Sequence, residues 1–156
     1  MEYLQELGLI GLFIGALLSA TIIPFSSDLL LIGILATGVN IPVAVTVATL
    51  GNWIGGMISY YMGYVGKWEW IEKYLKVKHE TLMKQKTKVD KYGASLAFFS
   101  WLPFVGDIFA IALGFYRLNP RLCALFMLIG KGARFVMWAI IFYYAKDWVI
   151  GLYSND

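Results

Sequence analysis

Residues 41–65 hold no charged side chain. A helix needs about 20 apolar residues to cross the hydrocarbon of a bilayer, so this run decides which solvent the chain is built for. Three further apolar stretches accompany it, at residues 7–37, 93–116 and 122–145. The chain is 60% hydrophobic and only 15% charged, where a soluble domain carries roughly a quarter charged residues. It reads as an all-α integral membrane protein. The first residues include Glu2 and Glu6 and no basic side chain, which argues against a secretory leader. Cys123 is the single cysteine, so an internal disulfide is excluded, and a packing thiol is the simplest role for it.

Two of the apolar stretches are broken, and the breaks match. "PFSSD" occupies residues 24–28 and "PFVGD" residues 103–107, an offset of 79 positions. The same offset relates Gly51 to Gly130, Phe25 to Phe104 and Asn52 to Lys131. Pro42 and Pro120, which open the next apolar runs, agree within one residue. This is the pattern of an internal duplication: a broken apolar segment, a short turn, then a long apolar helix.

Topology follows from the loops. If each broken segment is a re-entrant hairpin, each repeat crosses the membrane once and the second copy is inverted. The segment 67–92, with eight lysines, then shares a side with Arg117 and Arg121, opposite both termini and the 37–42 loop. The positive-inside rule makes the lysine-rich side cytoplasmic; two crossings per repeat would scatter the basic loops. The expected plan is a single membrane domain with repeat one at 7–66, repeat two at 93–146 and a tail at 147–156. Between the repeats, residues 67–92 form an amphipathic helix on the cytoplasmic interface, Trp and Tyr at headgroup level and Lys toward anionic lipid. The expected location is the inner (plasma) membrane, with several passes.

Within the bilayer the ionisable residues are Asp28, Asp107, Lys131 and Arg134. Each is expensive in hydrocarbon, by roughly 2.5–3.5 kcal/mol, so such residues face a cavity or one another. Two acids and two bases form a neutral set. Each Asp comes four residues after a proline (Pro24, Pro103), where a second half-helix would begin, and Ser26, Ser27 and Gly106 can cap or turn the chain there. Capping alone would account for an Asp at a helix start; a proton-titrating carboxylate is the functional alternative. Lys131 and Arg134 lie three apart, on one helix face, and suit either the carboxylates or an anionic lipid phosphate. Gly51-x-x-x-Gly55 and Gly11-x-x-x-Gly15 read as close helix contacts. Asn52 occupies the repeat position of Lys131 and is directed at the same centre. The lone His79 sits on the charged linker, so no Ser/His/Asp set, metal-ligand cluster or phosphate-binding loop is expected, and neither is enzymatic activity or a cofactor.

The stretches "SATIIPFSSDLLL", "LGNWIGGMISYYMGYVGKW" and "SWLPFVGD…GKGAR" resemble the DedA superfamily, also called the SNARE-associated or VTT-domain family, and within it the small YqaA-like branch. The likeness covers nearly the whole chain. It implies two facing re-entrant hairpins and lipid transport, since members move polyprenyl phosphate or phospholipid between leaflets. By position, the family's acidic residue after the first hairpin proline matches Asp28. Larger members carry a pattern like G-R-F-x-P-G-x-R in the second hairpin. Here Ser100 and Gly106 stand at the arginine positions and Pro103 is kept, leaving Lys131 and Arg134 to supply the basic charge. The resulting expectation is a flippase- or scramblase-like protein for a phosphate-bearing lipid, proton-coupled, with membrane lipids as partners, no nucleic acid, and a homodimer compatible with its size. The alternatives are a proton-coupled transporter of a small ion or drug, and a membrane assembly factor without transport.

Overall fold

The computed structural model describes residues 2–19, 27–66, 69, 73, 80, 93–102 and 106–153. The proposed breaks at Pro24, Ser26 and Pro103, and almost all of the interfacial linker, lie outside these residues. Among the described residues every regular element is helical: α1 (Glu2–Ser19), α2 (Ser27–Ala36), α3 (Ile41–Val65), a 3₁₀ segment (Gly93–Trp101), α4 (Gly106–Phe115) and α5 (Pro120–Tyr153).

Two of these are long and apolar enough to cross a membrane, Ile41–Val65 and the Pro120–Trp148 part of α5. At 1.5 Å per residue, 25 residues reach about 38 Å, more than the roughly 30 Å of hydrocarbon. The long helices begin alike. The side chain of Asn40 accepts from the Val43 amide at 3.4 Å, and that of Asn119 accepts from the Arg121 amide at 3.0 Å. The turns before them also match, with left-handed backbone at Gly38 (φ 83°) and at Arg117 (φ 53°). Gly38 and Asn40 stand to Arg117 and Asn119 at the offset that relates the two broken segments.

α1 packs on α3, and the 3₁₀ segment packs on α5. Glycines permit both contacts: a Cβ on Gly51 would lie 2.6 Å from the Phe13 carbonyl oxygen, and one on Gly130 2.5 Å from that of Phe98. Of the second arms, α4 lies along α3, while α2 touches both α3 and α5. The α4–α3 contact is the more extensive, because Gly63 and Gly114 each face the other helix's backbone, at Ile111 and Tyr60. The same positions in the other pair are Leu35 and Phe142, whose bulk holds α2 further from α5. Of the predicted Gly11-x-x-x-Gly15 motif only Gly15 is tight, against Leu30; Gly11 faces open space. The first arm of the second broken segment is a 3₁₀ spiral where a half-helix was expected. Its fully buried Ala97 and the close approach at Gly130 suit a narrower coil.

α3 and α5 run antiparallel: Gly56 faces Met127 and Lys131, while Tyr60 at the far end donates its hydroxyl to the Leu118 carbonyl. Two apolar clusters lie along them. One joins Leu12, Leu31, Leu35, Ala44, Ala48 and Phe135; the other joins Tyr60, Ala97, Ala110, Leu113, Cys123 and Met127. Outward, α5 shows Leu125, Ile129, Val136 and Ile140, each about half exposed, whereas Lys131 is 1% and Arg134 8% exposed. A water-facing helix has the reverse arrangement; lipid as solvent accounts for this one.

Candidate functional site

The polar centre lies between the two apolar clusters, where α3 and α5 cross. Lys131 Nζ donates to Asn52 Oδ1 at 2.6 Å and lies 3.5 Å from Asp107 Oδ1. One turn further along α5, Arg134 Nε lies 3.2 Å from Asp28 Oδ1, and Arg134 Nη2 donates to Ser27 Oγ at 3.0 Å. The arrangement is two parallel sets on one helix face, each a cation, a neutral polar group and a carboxylate. All four ionisable residues singled out in the sequence meet here, and each acid has its own base.

Local structure explains the placement. Asp28 and Asp107 both lie in the first turn of their helices, α2 and α4. There the helix dipole favours negative charge, so each Asp stands at a helix start and faces a base at once. Ser27, expected only to cap or turn the chain, is 4% exposed, and its hydroxyl is engaged with Arg134. Gly106 is buried and donates its amide to the Leu102 carbonyl at 2.9 Å. The pairs differ in access, the Asp107 side chain being 29% exposed and that of Asp28 15%. The Lys131–Asp107 pair is therefore the more open of the two.

Asn52 ties the centre to α1, donating to the Ala16 carbonyl at 3.1 Å and to Ser19 Oγ at 3.3 Å. Its amide thus passes hydrogen bonds from Lys131 on to the end of α1. Sequence reasoning missed Gly56, Ala16 and Ser19. A Cβ on Gly56 would lie 2.9 Å from Lys131 Cε and 3.2 Å from its Nζ, so this glycine leaves room for the lysine. The available signal was its place four residues after Asn52, on the same helix face. The side chain of Ser100 lies outside the described residues.

No family model matches the chain, and no solved structure matches it. Among curated proteins, it is 32% identical over 143 residues to an uncharacterized protein of Haemophilus influenzae, covering 86% of this chain and 87% of that one. It is 30% identical over 135 residues to the inner membrane protein YqaA of Escherichia coli, covering 85% of this chain and 89% of the relative. The YqaA of Shigella flexneri matches with the same figures.

Proposed function

The chain belongs to the family of the inner membrane protein YqaA, and we propose that it is a lipid transporter, moving a phosphate-bearing lipid between leaflets. On this reading the family is a small branch of the DedA superfamily. The fold is two inverted repeats, each a re-entrant hairpin and a crossing helix, with residues 67–92 on the cytoplasmic face.

Three features support the inverted repeat. The turns and caps before α3 and α5 recur at the repeat offset; α4 packs on α3, the long helix of the other half; and Asn52 touches Lys131, its own equivalent 79 positions away. In a twofold arrangement a residue meets its own mate only at the axis, so the axis would pass through the polar centre.

The observation that carries the functional reading is this centre: two cation–carboxylate pairs, their cations buried, at the crossing of two membrane-length helices. The set is neutral at rest and holds no spare charge. A lipid phosphate would bind by taking the place of a carboxylate on Lys131 or Arg134, the guanidinium offering a fork suited to phosphate oxygens. A displaced Asp107 would take up a proton rather than remain charged and unpaired, which couples lipid and proton in one step. The apolar tail stays in hydrocarbon while the phosphate visits the centre, so the work concerns the headgroup alone.

The test is leaflet exchange in proteoliposomes, with a labelled phospholipid and a labelled short polyprenyl phosphate. Wild type is expected to exchange one of them, and Asp107→Asn/Lys131→Met, which removes one pair while keeping volume, is expected to lose at least tenfold in rate. Exchange of neither lipid by wild type, or undiminished exchange by the variant, would sink the proposal.

A further inference from the structure

A groove of about 510 Å³ lies between α3 and the first turns of α5, within the roughly 300–1,000 Å³ of sites that hold a ligand. Trp53, Met57, Ile58 and Tyr61 form one wall, and Arg121 and Ala124 belong to the other. The indole N–H of Trp53 donates to the Ala124 carbonyl at 2.8 Å, so the ring's polar atom is satisfied and only its apolar surface is left to present. Ile58, Tyr61 and Arg121 are exposed, which leaves the groove open sideways to the surroundings.

Arg121 stands at one end, one residue after the start of a membrane-length helix. The side chain of Asn119 already takes the Arg121 and Leu122 amides, at 3.0 and 3.4 Å. The guanidinium of Arg121 is then a donor left over at this helix end. Among the described residues no carboxylate pairs with it. At the same end Arg117 lies over the Tyr64 ring, 5.3 Å from its centroid, adding a second positive charge.

We propose that this groove holds one acyl chain of an anionic phospholipid, its phosphate on the Arg121 guanidinium. An apolar cleft that faces lipid fits a hydrocarbon chain, and a cation at the start of a crossing helix lies at headgroup depth. A guanidinium matches the phosphate oxygens two at a time. The positive field of Arg117 and Arg121 selects a headgroup without an ammonium of its own. Ten residues of helix, about 15 Å, separate Arg121 from Lys131, so this site is distinct from the polar centre and stands independently of the transport reading.

Native mass spectrometry of the detergent-purified protein, titrated with phosphatidylglycerol or phosphatidylcholine, tests it. Wild type is expected to hold one phosphatidylglycerol about tenfold more tightly than phosphatidylcholine, and Arg121→Gln to erase that preference. Ala124→Phe, which fills the groove, is expected to weaken both lipids. A readout that does not depend on the folding of either variant comes from nanodiscs containing brominated phosphatidylglycerol. The quenched fraction of wild-type tryptophan fluorescence should exceed that of Trp53→Phe. Equal affinity for the two lipids, or a preference that survives Arg121→Gln, would overturn the proposal. Equal quenching of wild type and Trp53→Phe would also overturn it and point to another segment of this chain in the groove. Lipid held here by a protein that exchanges none in proteoliposomes would leave this site standing and sink only the transport reading.

Discussion

Lys131, 1% exposed, is held by one amide and one carboxylate. Asp107→Asn would strand its ammonium, and an uncompensated buried charge costs about 3–5 kcal/mol. Removing both partners, as Asp107→Asn/Lys131→Met, should return stability to near the wild-type value, since a buried ion pair and an apolar pair of like volume are often equivalent. Unfolding in mixed micelles followed by circular dichroism checks this; a double variant as unstable as the single one would show that the pair is not the unit. By the same logic Arg134→Ala alone cannot separate function from folding, because it strands Asp28. At this scale the sequence was most legible where membrane depth made residues costly. All four ionisable groups stand out by their position in apolar runs, and the offset of 79 pairs Asn52 with Lys131, which lie 2.6 Å apart in the fold. Gly56 was not legible, since its role is the absence of an atom beside a side chain 75 positions away in the sequence.

Among the helices, the tightest approach is that of α3 and α4. Gly63 and Gly114 each lie against the other helix's backbone, which cannot yield as a flexible side chain would. Gly63→Ala or Gly114→Ala is therefore expected to lower stability by about 1–3 kcal/mol, the usual cost of overpacking. Gly11→Ala, which meets open space inside α1, should raise it slightly, by up to about 1 kcal/mol. Thermal unfolding in one detergent compares the three; equal behaviour of all three would refute the close α3–α4 contact. The long elements were legible because an apolar run of fixed length has few solutions in a bilayer. The choice of partner was not. Small-residue motifs say that a close approach is allowed and leave open which helix makes it, so Gly11 and Gly15 looked alike in sequence and differ in the fold. The 3₁₀ segment was equally hidden, because GASLAFFSW is apolar nearly all round and no polar stripe marks its period.

For the whole molecule the discriminating quantity is sidedness. In the inverted-repeat reading the turn at Thr37 and the turn at Arg117 lie on opposite faces of the membrane. Thr37→Cys should react with an impermeant maleimide on intact spheroplasts, and Arg117→Cys only after permeabilisation; the native Cys123 is fully buried and gives a low background. Labelling of both from one side would rule out the re-entrant plan. The repeat reading rests on two pentapeptides in the sequence. The recurrence of Asn40 as Asn119 at the same offset is a further sign of it that sequence reasoning missed, obscured because the prolines beside them are out of register by one.

The contact of Asn52 with Lys131 carries a consequence for ancestry. If the two positions descend from one, the founding residue had to tolerate its own copy at hydrogen-bond distance. Asparagine can, because an amide both donates and accepts. Lysine cannot, because two ammonium groups would meet head-on in a poorly hydrated place. A twin-asparagine forebear could acquire a lysine in either half, but never in both. Fusion of the halves into one gene, which frees them to diverge, would then have had to precede the arrival of the charge.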